Sequence, residues 1–270
     1  MSTLPADADA SFTALVLAGS RGPDDPVAMA AGVAHKCLAP VAGVPMAMRV
    51  VEALAASPEI ERIAVALQDP ALLDQLPALR PLIAAGRCRI LPTAATPSLS
   101  VQRALDELPD PLPLLVTTGD HPLLTPEIVA HFCAAARRTG VDFVAGLTPA
   151  SAIRTAYPHA QRTYLRFRDE RYSGANLFAV LQPEGRRAVA FWRRVEQERK
   201  RPWRLVRAFG WRPLVAYLLG RLTLSEALAR ASQVIGARLA AVVLHQPEAA
   251  IDVDKPADLE LAESILARRR

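Results

Sequence analysis

The sequence predicts an α/β protein with a Rossmann-like, mostly parallel sheet flanked by helices. Two observations predict it. Through the first 150 residues, short apolar runs alternate with amphipathic stretches, the signature of strand–helix units around a parallel sheet. The loops after the first and fourth apolar runs carry Gly and Asp, where such sheets place their ligands. With 270 residues, 51% hydrophobic and 22% charged, the chain can bury a sizeable core and is neither disordered nor collagen-like.

The elements follow in order. Phe12–Ala18 (FTALVLA) reads as a buried strand ended by Gly19, and Pro45–Ala55 as a helix with Pro45 in its first position. Arg62–Leu67 is a second strand, Ala71–Ala85 a helix interrupted by prolines, and Arg89–Leu91 a short third strand. Leu99–Leu108 reads as a helix capped by Ser98. Pro113–Thr117 is a fourth strand. Thr125 then caps a helix to about Arg138, with Glu127 favoured by the dipole in its first turn. Val141–Gly146 is another strand, and Thr163–Phe167 and Asn176–Val180 are strand-like around an Asp169–Gly174 turn. A helical region from about Glu184 to Arg230 breaks at Gly210 and restarts near Pro213. Strand-like Leu239–Leu244, the segment Ala249–Asp254 and a helix from Pro256 close the chain. One domain over 1–270 is expected, with 1–10 a flexible tail and 184–235 a basic, aromatic helical insertion.

Met1–Ala10 has two aspartates and no basic run, unlike a secretory signal, and no stretch approaches the roughly 18 apolar residues of a membrane span. Cys37, Cys88 and Cys133 are widely spaced and form no metal-type pairing, which fits a reducing cytoplasm. The net charge of +5 is local: Phe191–Arg230 holds ten Lys/Arg and three Asp/Glu, against 22 and 24 elsewhere.

Leu17-Ala18-Gly19-Ser20-Arg21-Gly22, then Lys36-Cys37-Leu38-Ala39-Pro40-Val41-Ala42-Gly43-Val44-Pro45, forms the first motif. A glycine after a strand lets backbone N–H groups approach a phosphate, and an Arg and a Lys from one loop add a fork and a point charge. The same residues could form only a turn. Neither a Gly-x-Gly-x-x-Gly nor a Gly-Lys-Ser/Thr pattern is present. In Thr118-Gly119-Asp120-His121-Pro122, a carboxylate at a strand end suits a Mg²⁺ ligand or, alternatively, a turn. His121 is a neutral loop residue with no second His or Cys at ligand spacing. In Ile251-Asp252-Val253-Asp254-Lys255-Pro256-Ala257-Asp258-Leu259, alternating aspartates on a strand would share a face, unless Asp254 merely caps the closing helix. Asp258 supports the first helical turn. Ser98 and Ser100 can cap a helix, and Gly174 can supply positive φ to a hairpin turn.

The first motif resembles the nucleotidyltransferase family that includes molybdenum-cofactor guanylyltransferase and the cytidylyltransferases of isoprenoid synthesis (MobA-like, with a GT-A-like fold). Val44 departs from it, standing where the family often has Lys or Arg. The resemblance covers the N-terminal half and returns at 249–263. It implies a triphosphate bound by Leu17, Ala18, Gly19, Ser20, Arg21, Lys36 and Gly119, with Arg21 and Lys36 catalytic. Asp120 would hold Mg²⁺ with Asp254 as favoured second ligand and Asp252 as the other candidate. Ser98 and Ser100, the latter followed by Val101, resemble the base-reading loop of the cytidylyltransferase branch, which tilts the expectation to CTP. Gly174 and Asn176 would line the acceptor pocket.

The implied reaction transfers a nucleoside monophosphate from an NTP to a phosphorylated small molecule or lipid precursor, releasing pyrophosphate. The alternatives are a nucleotide-sugar glycosyltransferase of the same fold and a non-catalytic, membrane-recruited ligand-binding paralogue. In the insertion, Pro202 and Pro213 would begin two short helices. Trp203, Val206 and Phe209 form an apolar stripe bordered by Arg201, Arg204, Arg207 and Arg212. Residues 192–221 either pack on the sheet with their arginines in solvent or contact an anionic membrane face. No nucleic-acid recognition pattern is present, and the sequence specifies no oligomeric state.

Overall fold

The computed structural model describes residues 11–19, 22, 24–198 and 209–269. The predicted tail 1–10, the loop residues Ser20 and Arg21, and Trp203 and Val206 with Arg201, Arg204 and Arg207 lie outside them.

The main sheet runs β10-β7-β9-β6-β1-β4-β5, with β8 paired to β9. Its strands are β1 (Phe12–Ala18), β4 (Ile60–Leu67), β5 (Cys88–Pro92), β6 (Leu114–Thr118), β7 (Phe143–Pro149), β8 (Leu165–Arg166), β9 (Arg171–Val180) and β10 (Leu239–Val243). β2 (Pro40–Val41) and β3 (Val44–Pro45) make a separate hairpin. Pairs β1/β4, β1/β6, β4/β5 and β7/β10 are parallel; β9 runs antiparallel to β6, β7 and β8. Mostly parallel is therefore the observed architecture.

β1 shows why the sheet is buried on both faces. Phe12, Ala14, Val16 and Ala18 pack with α2 (Met46–Ala56) and α5 (Pro126–Arg138), whereas Leu15 packs with α4 (Pro97–Glu107) and α7 (Arg186–Gln197). A continuous apolar run is what two covered faces demand. A third cluster joins α1 (Pro26–Ala31) to α10 (Pro256–Arg268) through Val27, Ile251, Val253 and Ile265.

Several boundaries differ from those the sequence suggests. Pro45 caps α2 instead of opening it, and Pro97 takes the first position of α4, so the cap falls on Thr96 and not Ser98. Prolines divide the predicted helix 71–85 into a 3-10 turn, Pro70–Gln75, and a short α3, Leu79–Ala84. The hairpin turn before β9 lies at Phe167–Glu170, which leaves Gly174 within β9; the positive φ falls on Asn176, at +48°. After Gly210, the helix restarts at Trp211, because a proline in the first turn loses no helical hydrogen bond. Among the described residues, 184–235 hold α7, α8 (Trp211–Leu218) and α9 (Leu224–Ile235). Residues 251–255 join no strand ladder.

Candidate active site

β1 and β6 are parallel and in register, with Leu17 opposite Thr118, so their following loops leave the same edge of the sheet. The Gly119 N–H donates to the Leu17 carbonyl at 2.9 Å. A Cβ on Gly119 would lie 3.2 Å from the Ala18 Cβ, tighter than most real contacts, so glycine lets the two loops run side by side. Gly22 takes φ +106°, a region other residues rarely adopt.

Asp120 follows Gly119. Its carbonyl accepts the Val253 N–H at 2.9 Å, which brings the C-terminal segment alongside the loop after β6. Val253 is buried, and Asp252 and Asp254 flank it. Lys36 arrives from a 3-10 turn, Lys36–Leu38. Its Nζ donates to Asp120 Oδ2 at 2.6 Å and to Asp254 Oδ1 at 2.9 Å. Three residues remote in sequence therefore meet at one nitrogen. The Lys36 side chain is 8% exposed, that of Asp254 49%. Burial draws the lysine pKa down, but the charge and hydrogen bonds of Asp120 and Asp254 outweigh it and leave Lys36 above its ordinary value, hence charged.

A second ionic group adjoins the first. Arg162, from the loop between α6 (Ala150–Ala156) and β8, donates through Nη1 to Asp252 Oδ1 at 2.6 Å and through Nη2 to Asp258 Oδ1 at 3.1 Å. Asn176 Nδ2 donates to Asp252 Oδ2 at 2.8 Å. Asn176 can reach it because the β7/β9 register breaks between Ala145 and Leu147, and such an irregularity re-aims a side chain. Asp258 Oδ2 accepts the N–H groups of Asp254 and Lys255, capping α10 at Lys255 instead of Asp254. Burial, then the charges of Asp120 and Asp254, pushes the Asp252 carboxyl up against the opposing pull of Arg162 and Asn176. Negative potential is concentrated here.

The residues fit a hard divalent cation. Asp120 Oδ1 is buried and has no hydrogen-bond partner among the described residues. Mg²⁺ takes one or two carboxylates and fills its remaining positions with phosphate and water. Among the described residues, no group of three or more His, Cys, Asp or Glu is arranged to hold a metal. His121 is fully buried, its Nε2 lies 3.2 Å from the Glu248 carbonyl, and burial lowers its pKa and keeps it neutral.

The remaining predicted positions divide. Leu17, Ala18 and Gly19 line the carboxyl end of β1, and a Cβ on Gly19 would meet nothing closer than Thr93 Cγ2 at 3.6 Å. Ser98 is buried; its hydroxyl and N–H both bond Glu196 of α7, and its hydroxyl lies 3.1 Å from that of Thr96. Ser100 Oγ accepts the Ala94 N–H at 2.9 Å and donates to the Thr96 carbonyl. Both serine hydroxyl protons are thus donated within the protein, and Asn176 gives one amide N–H to Asp252. Sequence reasoning did not single out Arg162 or Glu196, whose partners stand 90 or more residues away. The pairing of a loop arginine with two downstream aspartates, Asp252 and Asp258, was the available signal for Arg162.

Fold and site together define an α/β transferase of the nucleotidyltransferase type. Residues 14–239 match the MobA-like NTP transferase domain, and the chain belongs to that family. It is an enzyme of the nucleotidyltransferase class. A hypothetical transferase from Thermus thermophilus is 33% identical, with 93% of this chain and 100% of its own covered, at a TM-score of 0.77. Two structures share the fold at lower identity. A CMP:2-keto-3-deoxy-manno-octonic acid synthetase complexed with CTP is 15% identical, with 96% and 99% covered and a TM-score of 0.57. The 4-diphosphocytidyl-2C-methyl-D-erythritol synthase of Anaerococcus prevotii is 14% identical, with 96% of each chain covered and a TM-score of 0.55. No protein of curated function matches the sequence. Among the described residues, no helix is long and apolar enough to cross a membrane.

Proposed function

We infer that the enzyme transfers a nucleoside monophosphate from an NTP to a phosphorylated small molecule or lipid-pathway precursor. One observation carries this reading: Lys36 draws Asp120 and Asp254 to within 2.6 and 2.9 Å of a single ammonium at the carboxyl edge of the sheet. A triphosphate lies against the loop after β1, with Gly19 leaving room for it and the basic residues Arg21 and Lys36 serving its charge. An acceptor oxygen attacks the α-phosphorus, the bond to the bridging oxygen of the β-phosphate breaks, and pyrophosphate leaves. Lys36 is placed to neutralise charge that builds on the phosphoryl oxygens, the main demand of such a transfer. Asp120 and Asp254 are the residues that would hold Mg²⁺, which when bound would supply further charge stabilisation. Asp252, engaged by Arg162 and Asn176, serves to fix the segment that carries Asp254.

The acceptor side is supported by a cavity of about 630 Å³ lined by Arg154, Gln161, Arg162, Thr163, Tyr164 and Lys255. Arg154 stacks on Tyr164 at 5.1 Å, and Lys255 donates to Gln161 at 3.0 Å. Two cations beside the carboxylates, Arg154 and Lys255, suit an anionic acceptor such as a phosphate ester. CTP is placed first among nucleotides because both lower-identity neighbours are named for cytidylyl products, one of them complexed with CTP. The test is pyrophosphate release across CTP, GTP, UTP and ATP with Mg²⁺ and a panel of phosphorylated acceptors. Mg²⁺-dependent release with CTP and a phosphorylated acceptor is expected; transfer from a nucleotide-sugar with no NTP turnover contradicts the reading.

A further inference from the structure

Helices α8 and α9 contain no fully buried residue, and their hairpin stands on the surface. The outward stripe of α8 is apolar. Trp211, Val215, Leu218 and Leu219 are 67%, 41%, 72% and 61% exposed, at positions i, i+4, i+7 and i+8 of one helical face. The opposite stripe explains why the helix does not turn that face inward. Pro213, Leu214 and Tyr217 look into a small apolar cleft with Phe209, Leu222, Ala227 and Arg230. The Tyr217 ring meets Phe167 edge-on at 5.7 Å, Arg230 Nε donates to the Phe209 carbonyl at 2.9 Å, and the Arg168 N–H donates to the Leu222 carbonyl at 2.9 Å. The helix is anchored from within, with its apolar face outward.

Exposed cations lie on that helix and on the turn it packs against. Arg212 lies over the Trp211 ring at 5.5 Å. Arg212 and Arg221 are exposed near the two ends of α8, and Arg166 and Arg168 are exposed on the adjoining β8 turn beside Leu165. The neighbouring acids are already engaged: Asp169 accepts the Leu224 N–H, and Glu226 completes the capping box of α9 with Thr223. What covers the face must therefore be apolar at its centre and anionic at its rim. A second copy docked symmetrically on the same helix would oppose arginine to arginine, which disfavours it. An anionic bilayer meets both demands, with Leu and Trp entering the headgroup boundary and Arg remaining among the phosphates. We propose that α8 docks the protein, lying in the plane of the surface, onto an anionic lipid bilayer.

The proposal is independent of which nucleotide or acceptor the enzyme uses. It is tested by co-sedimentation of the purified full chain with phosphatidylcholine–phosphatidylserine vesicles and with phosphatidylcholine alone, at low and high salt. Binding to the anionic vesicles alone is expected, weakened by salt. The variant L218E/L219E should lower the partition by about tenfold or more, and Arg212→Ala by about fivefold. Both sites are exposed, so circular dichroism and pyrophosphate release in the absence of lipid should remain at wild-type levels. Should L218E/L219E disturb the helix, Trp211→Ser reads the same face. Absence of vesicle binding overturns the proposal, as does binding unchanged in these variants. A concentration-dependent dimer abolished by L218E/L219E, without vesicle binding, overturns it in favour of a second copy.

Discussion

Two ionic groups sit side by side at the carboxyl edge of the sheet, and they are built differently. Around Lys36, two carboxylates share one ammonium, and Asp120 Oδ1 is left buried without a partner among the described residues. Around Arg162, Asp252 has both oxygens bonded, and Asp258 spends one oxygen on the guanidinium and the other on two backbone N–H groups. The first group has a carboxylate oxygen left to offer; in the second, every carboxylate oxygen is bonded. A buried carboxylate oxygen without a partner, beside carboxylates bonded through both oxygens, distinguishes the two groups, because burying such an oxygen costs free energy that a bound cation would offset. The comparison predicts that substitutions in the first group act on turnover and those in the second on stability.

The strongest way to break this division is Asp120→Ala. Mg²⁺-dependent turnover should be abolished in initial-rate assays of pyrophosphate release, and an unchanged Mg²⁺ titration would remove Asp120 from the site. Lys36→Ala comes next, with kcat lowered by about 10²–10³-fold, the scale of losing one preorganised electrostatic donor. Near-wild-type kinetics in that variant would contradict its role.

Arg162→Ala sharpens the contrast from the other side. Removing one partner of a buried ion cluster costs about 3 kcal/mol or more, read as a lower midpoint in urea. Arg162→Lys should recover part of it, and kcat per folded molecule should fall far less than in Lys36→Ala. The smallest effect belongs to an ion pair remote from the site. Asp142 accepts hydrogen bonds from Arg238 Nη2 at 2.6 Å and from the Arg238 N–H at 2.7 Å. Burial opposes ionisation, but these bonds and the guanidinium charge prevail and hold the carboxyl below its ordinary range. The depressed pKa stabilises the fold above the unfolded value of about 3.9 and is lost as the pH falls through the folded value. Asp142→Asn should therefore flatten the acid limb of the stability profile. At neutral pH it should lower the melting temperature by about 2–4 °C, the shift 1 kcal/mol produces in a chain of this size.

The legibility of the sequence followed the range of the interactions. β1 was fully readable, because seven consecutive residues suited to two covered faces identify a strand from local pattern alone. The Thr125 cap of α5 was equally local. Ser98 was misplaced as a cap because Pro97 moves the helix start back by two residues, a local rule outweighed by a more restrictive neighbour. The antiparallel course of β9 between β6 and β7 depends on pairing across long separations, and periodicity does not encode direction. At the site, Asp120, Asp252 and Asp254 were legible as candidate carboxylates, but the difference in how Asp252 and Asp254 are bonded was not. It turns on Arg162 and Asn176, whose contacts with Asp252 span 90 and 76 residues.

The most direct test is the melting temperature of the wild type and of Asp120→Asn, each titrated with Mg²⁺–CTP. A ligand held by the native state raises stability in proportion to its binding. The account predicts a dose-dependent rise in the wild type that needs Mg²⁺ and is lost in Asp120→Asn. An equal, Mg²⁺-independent rise in both proteins would contradict it.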